Sequence, residues 1–207
     1  GTFQHSLQVA NMAEEAISIV GGKTLLVRTG AMYHDVGKLH NPYFFTENQS
    51  SKINPHEDLS YQESAKIIIK HVIHGIEMAH KNRLPEQIVD FIRTHHGTTL
   101  TGYFYYKSVE ENLKPDEKKF RYPGPIPFSK ETAVLMLADS VEASSRSLKT
   151  YDAISIDDLV ERIFKHKMDE NQLINSDLTL RDLTLLKKIF KKRLMNMYHV
   201  RIEYPKQ

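Results

Sequence analysis

His34-Asp35-Val36-Gly37-Lys38 closes a short helical stretch that begins at Lys23, and it sets the reading of everything around it. Successive side chains on a regular helix diverge by about 100°, so a histidine and an aspartate side by side cannot share one face. At a helix end they can converge on a metal pair, with the carboxylate bridging two ions. Alone, the dipeptide reads equally well as a capping aspartate beside a surface histidine. The flanking sequence is helical by periodicity. Phe3, Leu7, Ala10, Ala13 and Ile17 recur every three or four residues, and Gly21-Gly22 stops that run. Residues 61–82 form a long helix with Ile67, Ile68, Val72 and Met78 inward. Leu84-Pro85-Glu86 opens a fourth helix that passes Ile88 and Ile92, reaches His95-His96 and closes at Gly97. Helix resumes at Ser129, a residue with N-cap chemistry, and runs to about Leu148. Two more follow, one capped by Ser155 with Asp158 and one by Thr179 with Asp182. Strands and helices do not alternate. The predicted class is all-α, a helical bundle with a polar, aromatic loop over 40–59 and a long loop insertion over about 98–128.

Composition narrows the function. At 207 residues with 40% hydrophobic and 26% charged side chains, the chain buries a real core and reads as one folded domain, 1–207. Cysteine is absent, which excludes disulfides, thiolate metal sites and cysteine nucleophiles. A net charge of +2 argues against DNA or RNA as the partner. The longest apolar run, residues 133–138, is far short of the roughly 20 residues that cross a bilayer. Without a signal sequence, the lack of cysteine points to a reducing cytoplasm. The chain opens Gly1-Thr2-Phe3-Gln4-His5 straight into an amphipathic pattern, as a domain excised from a longer protein would.

The 11 histidines stand out. His5 lies on the first helix, His71 on the third, His95-His96 end the fourth, and Asp139 follows the apolar run 134–138, where a carboxylate is costly unless paired or coordinated. With His34 and Asp35 these make seven nitrogen and oxygen donors, enough for two ions with positions left for water and substrate. Imidazole with carboxylate suits Mn, Fe, Co, Ni or Zn over Ca or Mg.

The order His…His-Asp…His…His-His…Asp resembles the HD-domain metal-dependent phosphohydrolases in their two-metal form. Gly1 to Ser6, His34 to Lys38, Pro42-Tyr43-Phe44-Phe45-Thr46-Glu47-Asn48-Gln49, His95 to Thr99 and Asp139-Ser140-Val141-Glu142-Ala143 look like the cytoplasmic catalytic domain of seven-transmembrane receptors with an intracellular HD hydrolase, a group that includes the PgpH-type cyclic-di-AMP phosphodiesterases. The likeness runs from residue 1 to about 200. It implies that His5, His34, Asp35 and Asp139 hold one ion, and that Asp35 bridges to a second completed by His71, His95 and His96. His71 is preferred to His74 because the family's ligand stands four residues before a glycine, here Gly75. It implies two divalent transition-metal ions, Fe or Mn, a hydroxide they activate, and hydrolysis of cyclic di-AMP to pApA without a covalent intermediate. It also implies a cytoplasmic domain of an integral inner- or plasma-membrane protein, touching membrane only through a transmembrane part. Gly97-Thr98-Thr99 after the double histidine, in place of Gly-Tyr-Pro, argues against cyclic di-GMP.

Catalytic roles fall on Asp35 and Lys38, the latter one turn on and placed to donate to a non-bridging phosphate oxygen. Tyr43, Phe44 and Phe45, with Tyr103 to Tyr106, offer faces for base stacking at about 1–3 kcal/mol per base, Tyr43 or Phe44 foremost. Asn48 and Gln49 pair a donor with an acceptor, as an adenine edge requires, and Arg146 is placed to reach a second phosphate or to stack on a base. His40, His56, His80, His166 and His199 lack partners at ligand spacing, although His56, after Asn54-Pro55 in the family-like loop, is the one placed to touch the site, and the Lys187–Arg193 basic row reads as the solvated face of a helix. Competing readings are an HD phosphohydrolase for another cyclic dinucleotide or a nucleotide, and a non-catalytic nucleotide sensor. Competent residues at every ligand position speak against the sensor. The sequence leaves oligomeric state open.

Overall fold

The computed structural model describes residues 1–49 and 54–199, and these hold eight α-helices and no strand. Within the expected loop over 40–59, positions 50–53 lie outside the described residues. The helices are α1 (Thr2–Val20), α2 (Thr24–Tyr33), α3 (Tyr61–Lys81), α4 (Glu86–Thr94), α5 (Gly102–Glu110), α6 (Lys130–Ser145), α7 (Ala153–Asp169) and α8 (Leu180–Met197). The all-α expectation holds.

The core forms around α6. Ser129 and Thr132 cap it reciprocally, and every side chain from Thr132 to Asp139 is buried, so this helix has no solvent face in its first half. The apolar stripe of α1, with Val9, Ala13 and Ile17 fully buried, packs on one side of it. α7 also packs on α6, and α8 packs on both α1 and α7, meeting α7 through Phe164 and Phe190, whose ring centroids lie 5.8 Å apart. Lys187 and Lys191 of α8 pair with Glu161 of α7, so two of the basic row are ion-paired rather than merely solvated. The helix α2 meets α4 where Gly30 faces the Phe91 ring: a Cβ there would come within 2.3 Å of it.

Between α2 and α3 the chain makes three 3-10 turns, Val36–His40, Pro42–Phe44 and Thr46–Asn48. The first lies directly on α3. A Cβ on Gly37 would stand 1.9 Å from the His71 carbonyl oxygen, so only glycine lets this turn touch the α3 backbone.

Two expectations are corrected. The stretch 98–128 is not a bare loop: it holds α5 and a 3-10 turn, Glu117–Phe120. Its run of aromatic residues hides a helical register, because Tyr105 packs inward on Phe120 while Tyr103 and Tyr106 stay exposed. Thr101 N–H donates to the Phe120 carbonyl and Tyr122 N–H to that of Thr99, which folds the segment back on itself. The cap of α7 is Asp152, which accepts from Ser155 N–H, one turn before the expected Ser155. Both residues have capping chemistry, and the helix starts at the earlier one.

Candidate metal centre

Five helices bring polar groups to one buried place. His5 comes from α1, His34 and Asp35 from the end of α2, His71 from α3, His95 and His96 from just past α4, and Asp139 from α6. All but His96 are at most 5% exposed. Burying this many polar groups without compensation is costly, and the geometry shows what compensates.

Asp35 stands at the middle. Its Oδ1 lies 3.4 Å from His71 Nε2 and 3.6 Å from His95 Nε2. Its Oδ2 lies 3.5 Å from His5 Nε2 and 3.4 Å from His34 Nε2. Asp139 Oδ1 adds contacts of 2.9 Å to His5 and 3.7 Å to His34, and its Oδ2 is 3.9 Å from His96 Nδ1. Two groups therefore form on opposite oxygens of one carboxylate: His5, His34 and Asp35, and Asp35 with His71, His95 and His96. In each, one ligand atom per residue lies within 4.8 Å of every other, the spacing of a site that could hold one ion. His34 Nε2 and both Asp35 oxygens are buried and make no well-formed hydrogen bond, although the Lys38 ammonium stands 2.8 Å from Oδ2. Orphaned polar atoms are rare in a core; these three face the two places where cations fit. The donor set of imidazoles and carboxylates suits a transition ion.

The imidazoles are pinned from behind. His34, His71 and His95 each use Nδ1 on the carbonyl three residues back, Ala31 at 2.7 Å, Ile68 at 2.6 Å and Ile92 at 2.8 Å. A carbonyl only accepts, so Nδ1 carries a proton and Nε2 is the nitrogen that faces inward. His5 Nδ1 instead meets the Glu142 carboxylate. His96 stacks on Tyr122, with centroids 4.2 Å apart, and Phe45 lies edge-on to His71.

Protonation follows from this environment. Burial works against charge on His5, but hydrogen bonds to Asp139 and Glu142 outweigh it and raise its pKa to about 9. For His34 burial is likewise overruled, by the charge of Asp35 and by Asp139, and the pKa rises to about 10. Burial dominates for His95, which falls to about 4, and for His96, held well below its ordinary value. Asp35 and Asp139 stay ionised despite burial, because Lys38 and His34 offset it for the first and His34 and His5 for the second.

All seven residues expected as ligands come together. His74 does not join them; it stacks against His40, centroids 3.9 Å apart. The expected substrate residues divide. Lys38 is engaged by the protein: its ammonium bridges Asp35 Oδ2 and Glu47 Oε1, the latter at 2.7 Å. Asn48 turns away from any base, since its carbonyl accepts Thr2 N–H at 2.9 Å and its amide donates to Thr2 Oγ1 at 2.8 Å, bracing the start of α1 below His5. Arg146 is held by Glu142 Oε1 at 2.6 Å. Tyr43 is 69% exposed and lies outside a cavity of about 830 Å³ that Phe44, Phe45, Gln49, His56, Phe104 and Tyr122 help to line. His56 is more than a surface histidine. Its ring sits between Phe44 and Phe104, and its Nε2 donates to the Phe44 carbonyl at 2.9 Å.

Glu142, Glu47 and Tyr122 are site residues without an expected role. For Glu142 a signal existed: three residues after Asp139, it falls on the same helical face. Tyr122 and Glu47 are brought in by chain reversals that no local pattern marks.

Comparison with known proteins agrees with this geometry. The model of the family described as HD domain matches residues 2–144. The cyclic-di-AMP phosphodiesterase PgpH of Bacillus subtilis (strain 168) is 44% identical over 205 residues, and its Listeria monocytogenes counterpart 40%. Each alignment takes in 99% of this chain, which spans 29% of the length of those curated relatives. Among solved structures, the L. monocytogenes phosphodiesterase PgpH HD domain in complex with cyclic di-AMP superposes with a TM-score of 0.92 at 39% identity, covering 99% of this chain and 94% of that one.

Proposed function

Because the chain belongs to the HD domain family, we propose that it is a dimetal phosphodiesterase that opens cyclic di-AMP to the linear dinucleotide pApA. The observation that carries the reading is Asp35, whose two oxygens each face a separate histidine set. The likeness to a cyclic-di-AMP-bound neighbour supports the choice of substrate. His5, His34, Asp35 and Asp139 would hold one ion, and Asp35, His71, His95 and His96 the other, with Fe or Mn as the ions. When bound, such a pair supplies charge neutralisation at the phosphate and a water of lowered pKa.

The chain's own residues do the rest. Backbone carbonyls and Glu142 hold the imidazoles in one rotation and tautomer, so the donor set is formed before substrate arrives. The His96 side chain, 23% exposed, marks the open edge of the centre. Phe44, Phe104 and the His56 ring offer flat faces in the adjoining cavity to a base, with Gln49 at its wall. Lys38 holds Asp35 and Glu47 together between centre and cavity.

We place residues 1–207 as one catalytic domain of a longer membrane protein, on its cytoplasmic side. The 29% share of its relatives' length fits this, and no helix of the described residues is long and apolar enough to cross a membrane.

The test is metal-stripped protein reloaded with Mn(II) or Fe(II) and offered cyclic di-AMP, cyclic di-GMP and nucleoside triphosphates. pApA should appear from cyclic di-AMP only when metal is present, with two ions per chain by elemental analysis. Asp35→Ala should lose both ions and all turnover. Turnover of triphosphates with none of cyclic di-AMP would defeat the substrate assignment.

A further inference from the structure

Four of the five imidazoles at the centre are fixed by a hydrogen bond at the nitrogen behind them: His34, His71 and His95 by a carbonyl, His5 by the Glu142 carboxylate. His96 is the exception. Its Nδ1 faces Asp139 Oδ2 at 3.9 Å, beyond hydrogen-bond reach, and among the described residues neither of its ring nitrogens has a hydrogen-bond partner. It is also the most exposed of the five side chains. Rings hold it instead. Tyr122 lies nearly flat against it, with centroids 4.2 Å apart and planes 25° from parallel, whereas His95 meets it tilted by 45° and His71 edge-on at 83°. Stacking at that distance restrains the plane of a ring.

Tyr122 is in turn held by backbone. Its N–H donates to the Thr99 carbonyl at 3.0 Å, Leu100 and Arg121 form an antiparallel bridge, and Arg121 Nη1 donates to the Thr98 carbonyl at 2.8 Å. The segment just past the double histidine and the strip that carries Tyr122 are thus fastened to each other. Tyr122 is 8% exposed, and it also lines the cavity beside Phe44 and Phe104. Phe45 makes a comparable contact with His71, edge-on with centroids 5.6 Å apart, but the Ile68 carbonyl already pins that imidazole. Tyr122 covers the one imidazole of the five that no hydrogen bond pins.

We propose that Tyr122 is a positioning residue for the second ion, its stacked ring fixing the plane of His96 so that this imidazole joins Asp35, His71 and His95 before metal arrives. The assignment rests on the dimetal reading above. The ring, and not the hydroxyl, carries the role, as the support behind a metal ligand that a hydrogen bond supplies for the other four.

Tyr122→Phe keeps the ring and Tyr122→Leu removes it. Calorimetric titration of metal-stripped protein with Mn(II) follows the two ions, and His96→Ala identifies the step that belongs to the second. Tyr122→Leu should weaken that step about 10–100-fold, the range for lost support of a metal ligand, and leave the other step unchanged. Tyr122→Phe should keep both steps near wild type. Turnover of bis(p-nitrophenyl) phosphate by the leucine variant should fall at limiting Mn(II) and recover at excess, which a damaged fold would not allow. Wild-type affinity for both ions in Tyr122→Leu would overturn the proposal. So would equal weakening of both steps, the mark of a general loosening, or an equal loss in Tyr122→Phe, which would move the role to the hydroxyl. The titrations need no substrate: the expected pattern in a protein that never cleaves cyclic di-AMP would uphold the role of Tyr122 and refute the substrate reading alone.

Discussion

Asp35 and the histidines around it behave as a preassembled trap whose protons stand in for cations. His5 and His34 are held protonated near neutral pH by the carboxylates beside them, with pKa values of about 9 and about 10. A metal ion and a proton compete for the same Nε2 lone pair, so loading metal at pH 7 should release about two protons from these residues per chain. The release should fade as pH rises through 9 to 10, where the metal-free protein no longer holds them. Calorimetric titration with Mn(II) in two buffers of different ionisation enthalpy measures the number directly; no buffer dependence at pH 7 would contradict it. Glu142 acts one layer behind, joining His5 to Arg146. Glu142→Gln keeps the volume and removes the charge, and metal binding should weaken about 10–100-fold with helix content unchanged by circular dichroism.

At the scale of elements, the site depends on two close approaches that only glycine permits. The turn after His34-Asp35 lies on α3 at Gly37, and the turn after His95-His96, where Gly97 has a positive φ of 53°, lies against the Gln172 side chain just past α7. Gly37→Ala places a methyl against the His71 carbonyl, a backbone atom that cannot rotate aside. It should cost about 1–3 kcal/mol of stability, visible as a lower Tm of the metal-free protein, and should separate Asp35 from His71. The α5 segment serves the cavity in the same way, carrying Phe104 to the His56 ring. Phe44→Ala should remove one stacking face and raise KM for cyclic di-AMP, by up to about 1–3 kcal/mol of binding. The rate on the base-free diester bis(p-nitrophenyl) phosphate should be left near wild type, and an equal loss on both substrates would remove Phe44 from base recognition.

Across the whole molecule, the ligands join five helices that otherwise meet mainly through apolar packing, with a few polar contacts such as Arg28 of α2 to Glu14 of α1. Metal bound to the folded state alone stabilises it by mass action, by about 2.7 kcal/mol at a free concentration one hundred times Kd. Chelation should therefore lower Tm of the entire bundle in one transition, while Asp35→Ala should show no response to metal or chelator. A Tm indifferent to chelation in the wild-type protein would mean that the ligands do not bind an ion in the folded bundle.

The amino-acid sequence by itself determined the helices other than α5, because their apolar spacing and capping residues act within a few positions: α6 is capped by Ser129 and α8 by Thr179 as the local chemistry requires. It also determined the seven ligand candidates, since a carboxylate after a run of buried apolar residues and a paired histidine at a helix end have few other uses. Only the tertiary structure decided which polar side chains are already engaged. Lys38 and Asn48 read as free groups in the chain, yet their partners, Glu47 and Thr2, are reached by chain reversals, whereas the Arg146–Glu142 pair is local, one turn apart at the end of α6. The partners of Lys38 and Asn48 are chosen by proximity in space, and that proximity exists only once the turns between α2 and α3 have folded back toward the start of α1.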